Sequence, residues 1–297
     1  MRLGIIANLG RPDAIEAVTF VIEWCSKRGH TATLCDDLKS HIKGGNASSP
    51  RDELWKHSDI VVSLGGDGTM LASVRALGRN TRPILGVNLG SLGFLTPFVP
   101  EELTEALDRV AANSYHLEER MMLKAEPLEG EELQSPYSLN DIVVDKGGIS
   151  RVINISLYAN GNYVSSYTAD GLIVSTPTGS TAYSLAVGGP ILDPTMQAII
   201  VTPISAFTLT SRPLVFPPEF ELEVRIRSEH GKALLTIDGQ VASEFLPKGS
   251  IKITRAEHTA KFIKFPESSF YDILRKKLHW GKLPVVDYKK HDFMRKK

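Results

Sequence analysis

The sequence predicts an α/β N-terminal domain built on a parallel sheet, followed by a mostly β C-terminal domain, so the chain as a whole reads as α+β. Three observations carry this. Over the first third, short β-branched runs alternate with helical patterns, as the crossover connections of a parallel sheet require. Beyond about residue 120 the apolar residues recur at every second position instead, the mark of half-buried antiparallel strands. The chain's 297 residues also suffice for one large or two ordinary domains without covalent staples.

Taken in order, residues 3–7 form the first expected strand. Asp13 stands ahead of Glu16 and of Ala14, Ala17, Val18, Val21 and Ile22, which reads as a capped amphipathic helix closed by Gly29. Residues 31–34 give a second strand, and residues 60–64, apolar without alternation, a strand covered on both faces. A helix is expected from near Thr69, with Met70, Val74 and Leu77 on one face, then a strand over 83–88. After Pro100, Leu103, Ala106, Leu107 and Val110 place a helix over 101–112. In the second half Ile153, Ile155 and Leu157 alternate with polar residues, and Asn160-Gly161 offers a tight hairpin turn. Leu222, Val224 and Ile226 repeat the alternation, with a turn at Gly231 before residues 233–237. Phe270, Ile273, Leu274 and Leu278 recur at helical spacing before a basic tail. The domains are accordingly drawn at 1–120 and 121–264, with 265–297 packing back on the first.

Composition narrows the function. Lys plus Arg and Asp plus Glu each total 34, so no net field draws polyanions and nucleic acid is not an expected partner. Cys25 and Cys35 form no metal or disulfide pattern, which fits a reducing compartment. No apolar stretch approaches the ~18 residues a membrane helix needs, and the first ten residues are too short in apolar run for a signal peptide. A cytoplasmic protein is expected.

Two stretches carry chemistry. Gly65-Gly66-Asp67-Gly68-Thr69 lies between an expected strand and an expected helix, where glycines allow close approach and the helix start favours an anion. An aspartate there would repel a phosphate unless a metal intervenes or the carboxylate takes a proton from an attacking hydroxyl; capping the helix is its plain structural alternative. The second stretch runs from Asp170 through Ser175-Thr176-Pro177-Thr178-Gly179-Ser180-Thr181-Ala182-Tyr183-Ser184. Its hydroxyls offer donors and acceptors to sugar and phosphate oxygens without adding charge, and Tyr183 offers a ring for a base. A Ser-Tyr hydrolase pair fits less well, since no lysine or histidine stands at a telling distance.

Together these segments resemble the NAD kinases, and the likeness covers roughly residues 2–280. Leu139-Asn140-Asp141, Gly188-Gly189-Pro190-Ile191, Ser211-Arg212-Pro213-Leu214-Val215 and Asp238-Gly239-Gln240 also fit that pattern. The resemblance implies a Rossmann-like nucleotide fold joined to a β-rich domain. It implies phosphorylation of the 2′-hydroxyl of the adenosine ribose of NAD, with Asp67 as base and Mg²⁺ accompanying ATP, or polyphosphate in its place. NAD would meet Asp67, Gly68, Asn140, Asp141, Arg151, Thr168, Asp170, Thr181, Ala182, Tyr183, Ser184, Ala186, Asp238 and Gln240, with Gly65, Gly66, Gly68 and Thr69 as the phosphate loop. Arg151 and Asp170 would reach a neighbouring subunit's site in a homodimer or homotetramer. Three positions depart from the usual pattern: Asp141 for a commoner Glu, Ala186 for a serine and Phe207 for a histidine. A lipid kinase sharing the glycine loop, or a catalytically silent NAD-binding regulator, are the rival readings.

Overall fold

The computed structural model describes residues 1–42, 47–129, 132–147, 152–227, 233–245, 248–267 and 269–280. Among these residues the strands form two sheets. In the larger sheet, strands Arg2–Ala7, Thr31–Cys35, Ala47–Ser49, Ile60–Gly65 and Pro83–Asn88 pair in parallel. Ile5 at its centre lies opposite Leu34 on one side and Val62 on the other. Every residue of Ile60–Gly65 is buried, which explains the unbroken apolar run. Helix Ala14–Arg28 covers the sheet with Val18, Val21 and Trp24, and ends where Gly29 adopts φ 69°. Asp13 stands at its N-cap, but its side chain makes no capping bond, so the expected box is not formed. After a single-turn helix at Asp36–Lys39, the helix Asp67–Leu77 begins two residues before the expected start at Thr69 and buries Met70, Val74 and Leu77. The helix expected over 101–112 is a short 3₁₀ turn, Pro100–Glu102, running into Leu103–Ala111.

The second half is antiparallel. The hairpin Ile153–Ala159 and Asn162–Ala169 turns on Asn160 and Gly161, both at positive φ. With Leu222–Arg227 and Lys248–Lys264 it extends the larger sheet. The smaller sheet, ordered Leu214–Phe216, Ile199–Ile204, Gly171–Ser175, Asp141–Asp145, Ala233–Ile237, Gln240–Phe245, packs across it. Inward residues of the two sheets, among them Ile155, Leu157, Val224, Val144, Leu172 and Val201, share one core. The turn expected at Gly231 and the basic tail lie outside the described residues.

Two long strands join the halves. Lys248–Lys264 pairs antiparallel with His116–Pro127 along its length and ends parallel to Pro83–Asn88. Residue 120 therefore falls inside a strand, and one sheet runs through both halves of the chain. Helix Phe270–Leu278 buries Ile273 and Leu274, shares a cavity with Leu92, Phe98 and Ala106, and donates from Tyr271 Oη to Asp193 Oδ2 at 3.1 Å.

Candidate active site

In the parallel sheet the chain winds outward from Arg2–Ala7 through Thr31–Cys35 to Ala47–Ser49, then returns to the other side with Ile60–Gly65. The order reverses between the first and fourth of these strands. Connections leaving their carboxyl ends diverge, opening a crevice of the kind that takes a ligand in such sheets. A cavity of about 510 Å³ occupies it, lined by Asn8, Gly10 and Arg11 after one strand and by Gly66, Asp67, Gly68 and Thr69 after the other. Gly65 is required by packing: a Cβ there would lie 2.1 Å from Thr69 Oγ1. Gly68 is exposed and has open space where a Cβ would be, leaving the backbone bare to a ligand.

Asp67 is the first residue of its helix, and its carboxylate is held by a loop the sequence reading left without a role. Oδ1 accepts the Leu95 amide at 2.9 Å and the Thr96 hydroxyl at 3.2 Å, while Oδ2 accepts the Phe94 amide at 2.9 Å. A carboxylate has about four acceptor positions. One, on Oδ2, stays open. Gly93 makes this approach possible, since a Cβ there would lie 2.0 Å from Asp67 Oδ1. Asn88 braces the loop in turn, donating to the Ser91 carbonyl at 2.7 Å and to Thr96 Oγ1 at 3.0 Å. The usable signal was Asn88-Leu89-Gly90 with Gly93 directly after an expected strand.

A second group of expected residues centres on Asn140 and Asp141. Asp238, at φ 48°, accepts from Ser138 Oγ and from the amides of Leu139, Asn140 and Asp141 at 2.7–3.2 Å. Its carboxylate is thus spent on shaping this turn. Asn140 Oδ1 is buried without a hydrogen-bond partner, a vacancy that a ligand hydroxyl or amine would fill. Asp141 is 5 % exposed, and burial, reinforced by the charge of Asp238, pushes its carboxyl up to about 7. The Tyr183 amide donates to the same carboxyl, which brings the hydroxyl-rich segment against Asn140-Asp141. Thr176 locks the two together, donating to the Leu139 carbonyl at 2.6 Å and accepting the Gly179 amide at 3.0 Å.

The other expected residues divide. Thr181 and Ala182 are half-buried beside Tyr183, which is 45 % exposed and whose hydroxyl is raised by burial and by Asp145, Asp170 and Asp141. Ser184 is buried and its hydroxyl bonds Thr202 at 3.0 Å, so it serves the interior. Ala186 and Gln240 are exposed at the ends of their elements. Asp170 is paired with Lys146 at 2.7 Å, and Thr168 donates to Asn154 at 2.9 Å on an exposed strand. Phe207 is 73 % exposed, its amide bonded to the Thr168 carbonyl. Arg151 lies outside the described residues.

Sequence reading also missed a buried charged cluster between the two halves. Arg120, 3 % exposed, donates to Glu118 Oε1 at 2.9 Å and to Thr178 Oγ1 at 3.2 Å. Lys264 Nζ lies 3.9 Å from the same Glu118 oxygen, and burial pulls its ammonium down to about 8, with the charges of Glu118 and Asp67 opposing the fall. Two buried cations thus share one carboxylate, and one of them, Lys264, feels the charge of Asp67. Their residues sit on the strands His116–Pro127 and Lys248–Lys264, neither of which is among the strands expected from sequence.

A switch-point crevice, a helix start ready for an anion, a pinned carboxylate with an acceptor position free and a hydroxyl-rich segment laid against Asn140-Asp141 point to a nucleotide-dependent phosphotransferase. Comparison with known proteins sharpens the class. The ATP-NAD kinase N-terminal domain matches residues 3–115 and the ATP-NAD kinase C-terminal domain residues 139–265. The NAD kinase of Citrifermentans bemidjiense is 40 % identical over 284 residues, covering 94 % of this chain and 99 % of that one. The NAD kinase of Moorella thermoacetica is 40 % identical, covering 94 % and 90 %. Among solved structures, yeast NADH kinase complexed with NADH superposes with a TM-score of 0.86 at 25 % identity, covering 96 % of this chain and 89 % of that one. The NAD kinase of Archaeoglobus fulgidus in complex with ATP gives 0.77 at 26 %, covering 94 % and 99 %. The chain belongs to the ATP-NAD kinase family, enzymes that phosphorylate NAD to NADP, and its two-part fold is the one expected from sequence.

Proposed function

We propose that this chain transfers the γ-phosphoryl group of ATP to the 2′-hydroxyl of the adenosine ribose of NAD, with Asp67 as general base. The observation that carries the reading is the open acceptor position on Oδ2 of a carboxylate fixed by three donors at a helix start. The ribose hydroxyl donates to Oδ2; as the oxygen attacks phosphorus its proton passes to the carboxylate, the bond to the bridging oxygen breaks and ADP leaves. The anchoring amides keep Asp67 from swinging away, so little reorganisation is needed at the moment of transfer. Asn140 Oδ1 and the Asp141 carboxyl take the ribose hydroxyls, and Tyr183 lies against the adenine.

Among the described residues no group of three or more His, Cys, Asp or Glu side chains is placed to hold a metal ion. Mg²⁺ would accompany the ATP donor and offset its phosphate charge, and Asp67 is the carboxylate of the glycine loop that could help to hold it. The active unit is a homo-oligomer: the Thr168 carbonyl holds the amide of the exposed Phe207, which with the exposed Leu209 offers an apolar surface suited to a second copy. No helix among the described residues is long and apolar enough to cross a membrane. Cys25 and Cys35 are free and buried, their thiols raised by burial to about 11 and about 12, which fits a cytoplasmic enzyme.

The test is Asp67→Asn, which keeps the shape and removes the base. Turnover should fall by ~10² to 10⁴ with NAD affinity kept. Turnover at the wild-type rate would remove Asp67 from the mechanism.

A further inference from the structure

We infer that Arg11 is the protein's own cation for the donor's β- and γ-phosphates, a residue acting on the donor side of the reaction proposed above and resting on that reading. The first strand ends in a tight turn in which Asn8 Oδ1 accepts the Gly10 amide at 3.0 Å and the Asn8 carbonyl accepts the Arg11 amide at 3.0 Å. This turn sends the Arg11 side chain across the crevice onto two glycines of the facing loops. A terminal guanidinium nitrogen lies 4.0 Å from where a Cβ would stand at Gly66, and another lies 2.9 Å from the equivalent point at Gly90. The guanidinium thus fills space that side chains at those positions would take, beside the start of the Asp67 helix and on the wall of the 510 Å³ cavity.

Among the described residues the Arg11 side chain has no hydrogen bond and no ion pair, leaving five N–H donors for solvent or ligand. Arg51, the other cation lining the cavity, is engaged by Asp37. The glycine loop itself contains no lysine, unlike phosphate loops that carry their own charge. A triphosphate in this crevice would meet the negative Asp67, so its charge must be offset from the protein side as well as by its metal. The forked donors of arginine suit two phosphate oxygens at once. As the bond to the leaving oxygen breaks, charge accumulates on the β-phosphate, and a guanidinium placed there favours the transfer.

The experiment compares Arg11→Gln and Arg11→Lys with wild type in NADP formation from NAD and Mg–ATP. Arg11→Gln should raise KM for ATP by ~10-fold or more and lower kcat by ~10 to 10², with the Kd for NAD unchanged. Arg11→Lys should recover part of the loss, and added guanidinium ion should partly rescue Arg11→Gly, which a merely structural role would not allow. On the wild-type chain, phenylglyoxal modification of Arg11, followed by peptide mass spectrometry, should be slowed by Mg–ATP or inorganic tripolyphosphate and not by NAD. Kinetic constants within twofold of wild type in Arg11→Gln, or unchanged modification under saturating ATP, would overturn the assignment. Absence of NADP formation by the wild type would instead strike at the underlying reaction.

Discussion

Replacing Asp141 by Asn tests the electrostatics of the ribose pocket, because Asp141 is buried against a second carboxylate, Asp238, which accepts from Ser138 Oγ and the amides of Leu139, Asn140 and Asp141. The folded chain holds the Asp141 proton up to about pH 7, while the unfolded chain releases it near its ordinary value of about 4. Folding takes up a proton between these limits. The contribution of this group is therefore complete below the unfolded value and is lost as pH rises through the folded one, at about 1.4 kcal/mol per unit and about 4 kcal/mol in all. Asn does not titrate. Between pH 5 and pH 8 the stability of Asp141→Asn relative to wild type should rise by roughly 3 kcal/mol, the part of the loss that falls in that interval. Urea unfolding of both proteins without nucleotide, at steps of half a pH unit, measures the gap directly. Parallel profiles would mean that Asp141 is ionised in the folded chain and that the paired-carboxylate argument is mistaken.

Gly93→Ala should push the 93–96 loop off the Asp67 carboxylate, because the new Cβ would overlap Oδ1. Turnover is expected to drop ~10-fold or more while the NAD dissociation constant, read by fluorescence titration, changes little. If the site is completed by a neighbouring subunit, inactive Asp67→Asn and Asp170→Ala chains should recover partial activity when mixed. No recovery after demonstrated subunit exchange would show that each chain's site is self-sufficient.

Much of the frame was legible because burial writes itself into spacing. Strands 83–88 and 60–64, the alternation of Leu222, Val224 and Ile226, and the final helix through Ile273 and Leu274 are where the apolar pattern places them. Asp67 was legible from its glycines, yet not its surroundings: the loop that pins it does so through the amides of Phe94 and Leu95, and backbone donors leave no mark in residue type. Asp238 sits within a recognisable segment, but only the fold shows its carboxylate turned on the 138–141 backbone. The cluster of Glu118, Arg120 and Lys264 was hidden because Lys264 lies far in sequence from the other two, and only the pairing of their two strands brings the charges together. Asp13 illustrates the reverse error, a correct cap residue in a correct place whose side chain makes no capping bond.

The central claim is that one oxygen of Asp67 is free to take the ribose proton, and a crystal structure with NAD bound measures this most directly. The account predicts Asp67 Oδ2 at hydrogen-bond distance, about 2.6–3.2 Å, from the 2′-oxygen of the adenosine ribose, with the Phe94 and Leu95 amides still holding the carboxylate. A dinucleotide bound with that oxygen beyond reach, and the Asp67 side chain walled off from the sugar, would contradict it.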